Sequence, residues 1–544
     1  MKRIYLIILI KIIITMNIRC IQQQPADLIV HNAVIYTLDN EFATSEAMAV
    51  RDGLIVAIGS DRDILSRFHS QNILKAEGKT VMPGFIDAHS HFIGYALGLL
   101  NADLRPANSF EKVLEILSEH AKTNACEWIT GYGWDQNRWP NKQFPTNKNL
   151  NELFPNHPVV LSRIDGHAVL VNNEAMRRLA ITDSQILPEG EAIRDSGKLT
   201  GVFLGTVAKR FRAAVPAPTN ETIVKLLEKA QQNCFAVGLT SVTDAGLDFN
   251  QIQLLDSLQN TGQLKIRIYA MINPTAENLD YFLPKGPILK PALTIRSVKL
   301  FADGALGSRG ARLLEEYSDA PGEYGVWGLT EEKIKQICSV AYAAGYQVIT
   351  HAIGDAANRR ILNVYSNFLK QKNDLRWRIE HAQVVHPDDF HLFGDYSIIP
   401  SIQSTHATSD MSWAGYRLGS QRLESAYATR TLLEQNGWLP NGTDFPIEGI
   451  NPMWTFYAAV TRQNHNGYPE SGFQPKQKLS RSEALKSITI WAAKAKFWEH
   501  ERGSLEPGKF ADFVMLDKDP MIVPYSDLLS IRVEQVFVGG TRVH

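Results

Sequence analysis

The chain has 544 residues, 44% of them hydrophobic and 21% charged, with a formal net charge of -1. That length exceeds what one ordinary core fills, so several structural domains, or one large barrel with additions, are expected. The near-neutral balance offers no basic footprint for nucleic acid and suits a small-molecule partner. The four cysteines, Cys20, Cys126, Cys234 and Cys338, are scattered with no CxxC pair. This argues against a cysteine zinc site and against a disulfide framework.

Taken in chain order, MKRIYLIILIKIIITMNIRC has the outline of a secretory signal peptide over residues 1–20. Its apolar stretch is too short and broken for a membrane span. Cys20 stands where a bacterial lipoprotein carries its lipid anchor, although Arg19 departs from the small residue such a site wants. The expectation is an exported protein, periplasmic or held at the membrane through Cys20; a cytoplasmic protein with an apolar or mis-assigned start is the alternative. Residues 21–80 hold hairpin material, ADLIVHNAVIYTLDN and AMAVRDGLIVAIGS, and residues 505–544 hold more, ADFVMLD and VEQVFVGGTRV. One small β-sandwich built from both chain ends accounts for them.

Between these ends, residues 81–504 read as β-rich runs alternating with amphipathic helical stretches. The runs are VMPGFIDAH, GLTSVTDAG, LKIRIYAMI, TIRSVKLFAD, YQVITHA, LRWRIEHAQ, YSIIPSIQ and GWLPNGTDF. Eight such units predict an α/β fold, a (β/α)₈ TIM-like barrel. The stretch from about 95 to 235 is too long for a loop and reads as an insertion after the first strand, on the face where barrel enzymes do chemistry.

In VMPGFIDAHSHF, Asp87, His89 and His91 alternate along a strand and share one face. Alone, the trio fits a polar strand end as well as half of a metal site. Lys299 in SVKLF points inward if Val298 and Leu300 face the helices. A buried ammonium needs either an acid partner such as Asp303 or conversion to a carbamate by carbon dioxide. His351, His381 and Asp444 end later strands, and each taken singly fits a structural histidine or a capping aspartate. A barrel brings them all to one rim.

This pattern resembles the amidohydrolase superfamily, metal-dependent hydrolases on a distorted barrel. VKLFADGALGSRGA, THAIGDAANR, RIEHAQ and NGTDFPIEGINP, with GYGWDQNRW and RIDGHAVLVN in the insertion, resemble its amidohydrolase family 3 branch, which includes N-substituted formamide deformylase-like proteins. The resemblance runs from about residue 26 to the C-terminus. It implies one or two divalent ions, zinc before iron, manganese or nickel. His89 and His91 would bind the first ion with Asp444, and His351 and His381 the second, bridged by an N6-carboxylated Lys299. An activated hydroxide would be the nucleophile, with Asp444 as general base and acid.

Around this set, Asp87 would orient an imidazole or cap the strand end. Gln403 and His406 in SIQSTHA are placed to face substrate or solvent. Arg309 would bind a substrate carboxylate or pair with Asp319, Glu315 or Glu316. Trp134, Arg138, Trp139, Asp165 and His167 of the insertion are candidates for the pocket wall, with core packing the alternative for the tryptophans. The reaction implied is hydrolysis of a non-peptide C–N bond in a small-molecule amide, N-acyl or N-formyl. The same residues would serve a cyclic amide, a lactone or a deamination, and a non-catalytic barrel is the reading of another class. The oligomeric state is left open.

Overall fold

The computed structural model describes residues 23–123, 127–164, 167–188 and 191–544, so the leader and the lipid anchor expected over residues 1–20 lie outside the described residues. Seven strands, β1 (Phe85–Ser90), β2 (Leu239–Leu247), β3 (Arg267–Ile272), β4 (Leu293–Phe301), β5 (Gln347–Ala352), β6 (Arg378–His381) and β7 (Ile399–Ser401), pair in that order, each parallel to the next. The eighth expected strand is not regular. Gly437 takes a left-handed φ of 78° to end the helix Thr429–Asn436, Pro440 has no N–H to give, and Asp444 has φ 63°. The ring still closes there, because Gly442 N donates to Ile402 O (2.9 Å) and Asp444 N to His89 O (2.8 Å). A (β/α)-type barrel results, with Val242, Ile268, Val298, Leu300, Val348 and Ile379 turned outward into the core beneath the helices.

The run VMPGFIDAH, expected as one strand, is two. Thr80–Pro83 pairs with Phe513–Leu516 in the terminal sandwich, and β1 starts the barrel. The break falls at Gly84, whose N–H donates to Asp512 O (2.9 Å). A Cβ added there would sit 2.3 Å from Thr240 Oγ1. Gly84→Ala is therefore expected to destabilise the protein by about 1–3 kcal/mol through overpacking at this junction. An unchanged thermal midpoint would contradict this.

The sandwich closes Val30, Met48 and Ile55 of a four-stranded sheet over Ile35, Val81, Phe513 and Phe537 of a six-stranded one, so both chain ends build it. The insertion has its own six-stranded sheet, running from Asn101–Asp103 through Ile129–Trp134, Val159–Arg163, Ala168–Val171 and Lys198–Leu204 to Ala192–Asp195. Alternation along its strands buries Leu161 and Leu170 on one face and Val160 and Val169 on the other, giving it two cores. The helix Asn220–Ala236, counted with the insertion from sequence, instead packs Leu227, Ala230 and Phe235 into the barrel core.

Candidate metal centre

Strand alternation sets up the first half of the site. His89 is 1% exposed, and its Nδ1 lies 2.6 Å from Glu380 Oε2 while Nε2 lies 3.4 Å from Asp444 Oδ1. His91 Nδ1 is 3.1 Å from the carbonyl of Ala245. A carbonyl can only accept, so Nδ1 carries a proton, and Nε2 faces Asp444 Oδ1 at 3.2 Å. Asp244 in β2 takes the N–H groups of Phe92 and Ile93 (3.0 Å each), fixing the helix that follows His91.

Glu380 lies in RIEHAQ but is not among the residues singled out there, yet it anchors this arrangement. Arg378 Nε donates to its Oε1 (2.8 Å) and Ser401 Oγ to its Oε2 (2.8 Å), while Arg378 Nη2 also donates to Ala88 O (2.8 Å). Burial pushes the Glu380 carboxyl up, but Arg378 and His89 outweigh it and hold the group down at about 2. The available signal is two opposite charges at i and i+2 in Arg378-Ile379-Glu380, on the inward face of a strand.

The second half comes from β4 to β7. Lys299 is fully buried, and Asp303, the acid the sequence offers it, instead accepts the N–H groups of Arg312 (2.8 Å), Ile353 (3.0 Å) and Gly354 (2.8 Å). Burial draws the lysine down to about 8 against the pull of Glu380 and Asp444. His351 Nε2 lies 3.6 Å from Asp303 Oδ1, and burial with Lys299 nearby lowers it to about 3. The His381 ring centroid is 4.6 Å from that of His351, 5.2 Å from His89 and 5.7 Å from His406, on which it stacks. His406 Nε2 in turn lies 3.6 Å from Asp444 Oδ2.

Lys299 Nζ, His381 Nδ1, His406 Nε2 and Asp444 Oδ1 are all buried without a hydrogen-bond partner. Ring nitrogens gathered around one buried carboxylate are what a cation between them would satisfy. Among the described residues, two groups have their ligand atoms within 4.8 Å of one another: His89, His91 and Asp444, and His381, His406 and Asp444. The residues present therefore fit a divalent metal. The sequence sets His381 with His351 and Lys299; the structure brings all three to the same rim, the His381 ring 4.6 Å from that of His351, and adds His406, which the sequence places toward substrate or solvent.

The remaining candidates separate. Asp87 accepts from His89 N (3.0 Å), Thr443 N (3.1 Å) and Thr443 Oγ1 (2.7 Å), so it fastens the segment carrying Asp444 to β1 rather than orienting an imidazole. Gln403 lines a pocket with His381 and His406. Arg309 Nη2 is paired with Asp319 Oδ2 (2.9 Å), the salt bridge that stands as the alternative to carboxylate binding. Trp134 is corrected from pocket wall to core: it is 1% exposed among Leu104, Leu161 and Trp139, and its indole donates to Leu161 O (2.8 Å). Trp139 is buried in the same cluster, and Arg138 Nη1 donates to Arg105 O (2.6 Å). His167 is exposed at the start of Ala168–Val171, and Asp165 lies outside the described residues.

A model of the amidohydrolase family matches residues 73–544. The chain belongs to the amidohydrolase family. It is 32% identical to Protein LONG AFTER FAR-RED 3 of Arabidopsis thaliana, over 95% of this chain and 92% of that one. It is 25% identical to N-substituted formamide deformylase of Arthrobacter pascens, over 95% and 98% of the two chains. Among solved structures, an uncharacterized metal-dependent hydrolase from Pyrococcus horikoshii OT3 matches with a TM-score of 0.76 and 29% identity, covering 92% of this chain and 99% of that one. The family 3 resemblance read from the motifs holds, and the chain is an amidohydrolase-superfamily hydrolase with a divalent-metal site at the barrel mouth.

Proposed function

We propose that this hydrolase cleaves a non-peptide C–N amide bond, releasing an N-acyl or N-formyl group, with zinc as its metal. The observation that carries the reading is the convergence of four histidines on the two oxygens of Asp444 beside a buried, unpartnered lysine. The choice of an amide over a lactone or an imino carbon is supported by the likeness to a relative named as a formamide deformylase. His89 and His91 would hold one ion with Asp444, and His381 and His406, with His351 and Lys299 beside them, a second. Such an ion, when bound, lowers the pKa of water towards neutrality and polarises a carbonyl. Asp444 has both oxygens inside the cluster, so it is placed to take a proton from the attacking water and return it to the leaving nitrogen. Glu380 and the Ala245 carbonyl hold His89 and His91 so that each keeps its Nε2 turned inward.

Lys299 fits carboxylation: the neutral amine adds to carbon dioxide, a C–N bond forms, a proton leaves, and a costly buried cation becomes a carboxylate ligand. With ¹³C-labelled bicarbonate, one carbamate resonance is expected in the wild type and none in Lys299→Met. Its absence from fully metal-loaded wild type would leave Lys299 unmodified. The wider reading is tested by metal analysis together with a panel of N-formyl and N-acyl amines, lactones, cyclic imides and bases. A protein that binds no metal, or one that turns over only the non-amide members, would overturn it. The leader-like residues 1–20 support export, which cell fractionation tests.

A further inference from the structure

A narrow pocket opens beside the second histidine pair, walled by His381, His406, Gln403, Tyr427, Thr429 and Arg462. Arg462 is 1% exposed, and among the described residues it is in no ion pair. Its Nε donates to Phe473 O (2.9 Å) and its Nη2 to Gln474 Oε1 (2.9 Å), both neutral acceptors, the guanidinium lies 5.6 Å from the Phe473 ring centroid, and among the described residues Nη1 has no hydrogen-bond partner. The carboxylate across Tyr427, Asp410, is held by Tyr427 Oη (2.8 Å) and Gln383 Nε2 (3.3 Å) instead. A buried guanidinium without a counter-charge is unfavourable, and burial pulls this one down to about 10.

The backbone conformation does not call for an arginine here. The residue ends the helix Pro452–Thr461 with φ 59°, a left-handed position that glycine fills at lower cost. Across the pocket, Gln403 Oε1 is buried with no donor. One cationic donor and one neutral acceptor are thus left open in a pocket that shares His381 and His406 with the metal centre. A single cation with one free Nη1 matches a singly charged carboxylate better than a phosphate dianion.

We propose that this pocket selects substrate: the preferred amide carries a carboxylate on its skeleton, bound by Arg462, with Gln403 Oε1 accepting an N–H of the same molecule. This rests on the amide-hydrolase reading above. The test uses the metal-loaded enzyme and a series of N-formyl ω-amino acids against the matching N-formyl alkylamines. At the best chain length, kcat/KM is expected to favour the acid by about 10–100-fold, the range of a charge-assisted contact. Arg462→Gln is expected to bring that ratio near one, and Arg462→Lys to retain part of it. Thr429→Asp guards against misfolding of the arginine variants. It keeps Arg462 but places an acid in the same pocket at the first position of a helix, where negative charge is favourable, and the ratio should again collapse. Equal kcat/KM for the two series, or a preference that survives in every variant, would overturn the proposal. Titration calorimetry with hexanoate and hexanamide separates it from the hydrolase reading, since no turnover is needed. Tighter hexanoate binding that is lost in Thr429→Asp supports the pocket even if no amide is cleaved. Hexanoate binding unaltered by Arg462→Gln and Thr429→Asp would place the carboxylate on the metal and overturn it.

Discussion

Asp444→Asn is expected to lower kcat by about 10²–10⁴-fold at saturating metal, the usual contribution of a positioned acid–base group. The substitution suits the purpose because asparagine tolerates the left-handed backbone that Asp444 adopts at φ 63°. The N–H to His89 O (2.8 Å) that closes the barrel is also untouched. What is lost is the charge and the proton affinity of a carboxylate that faces His89 and His91 through Oδ1 (3.4 and 3.2 Å) and His406 through Oδ2 (3.6 Å). The amide cannot take up a proton from water at neutral pH, so the effect should fall on kcat once metal is added in excess. Steady-state rates across a metal titration, with circular dichroism as the folding control, decide it. Wild-type kcat in Asp444→Asn would remove the residue from the chemistry.

The strand-end ligands are legible because a strand's two-residue repeat is written directly in the sequence. His89 and His91 stand two apart, and Lys299 stands between two apolar neighbours, so the spacing alone states which face of its strand each occupies. Contacts between distant segments leave no such mark. Arg309 and Asp319 are ten residues apart in an irregular loop, so the sequence can name the pair but not choose it over a substrate carboxylate. Trp134 carries the same ambiguity, and only the insertion's own six-stranded sheet turns it inward. His406 joins the histidine cluster because the short helix Ser404–Asp410 begins directly after β7 and turns its ring onto His381, a geometry with no repeat to read. Gly84 is a different kind of omission. The apolar run through it is continuous, and the division between two sheets is imposed by Thr240 and Asp512 from far along the chain.

Glu380→Gln should be the most damaging change outside the ligand set, in two separable ways. It leaves Arg378, fully buried, without its counter-charge, a loss of about 3–5 kcal/mol for a broken buried pair. It also removes the negative charge that lies 2.6 Å from His89 Nδ1, which should reduce metal affinity by about 10–100-fold. The pH dependence follows from the depressed carboxyl. The unfolded reference is near pH 4.3, so the stabilisation is complete above that value and is lost as pH falls through about 2. The gap in thermal midpoint between wild type and Glu380→Gln, measured in chelator, should therefore narrow on acidification. Adding Arg378→Met removes the stranded cation and should recover much of the stability, because a buried ion pair is often replaceable by apolar atoms of similar volume. It should not restore metal affinity, since His89 would still lack a carboxylate behind it. If the double variant regained both, the Arg378–Glu380 pair would be a packing feature alone, and the orientation of His89 would have to come from Asp444 and the cation itself.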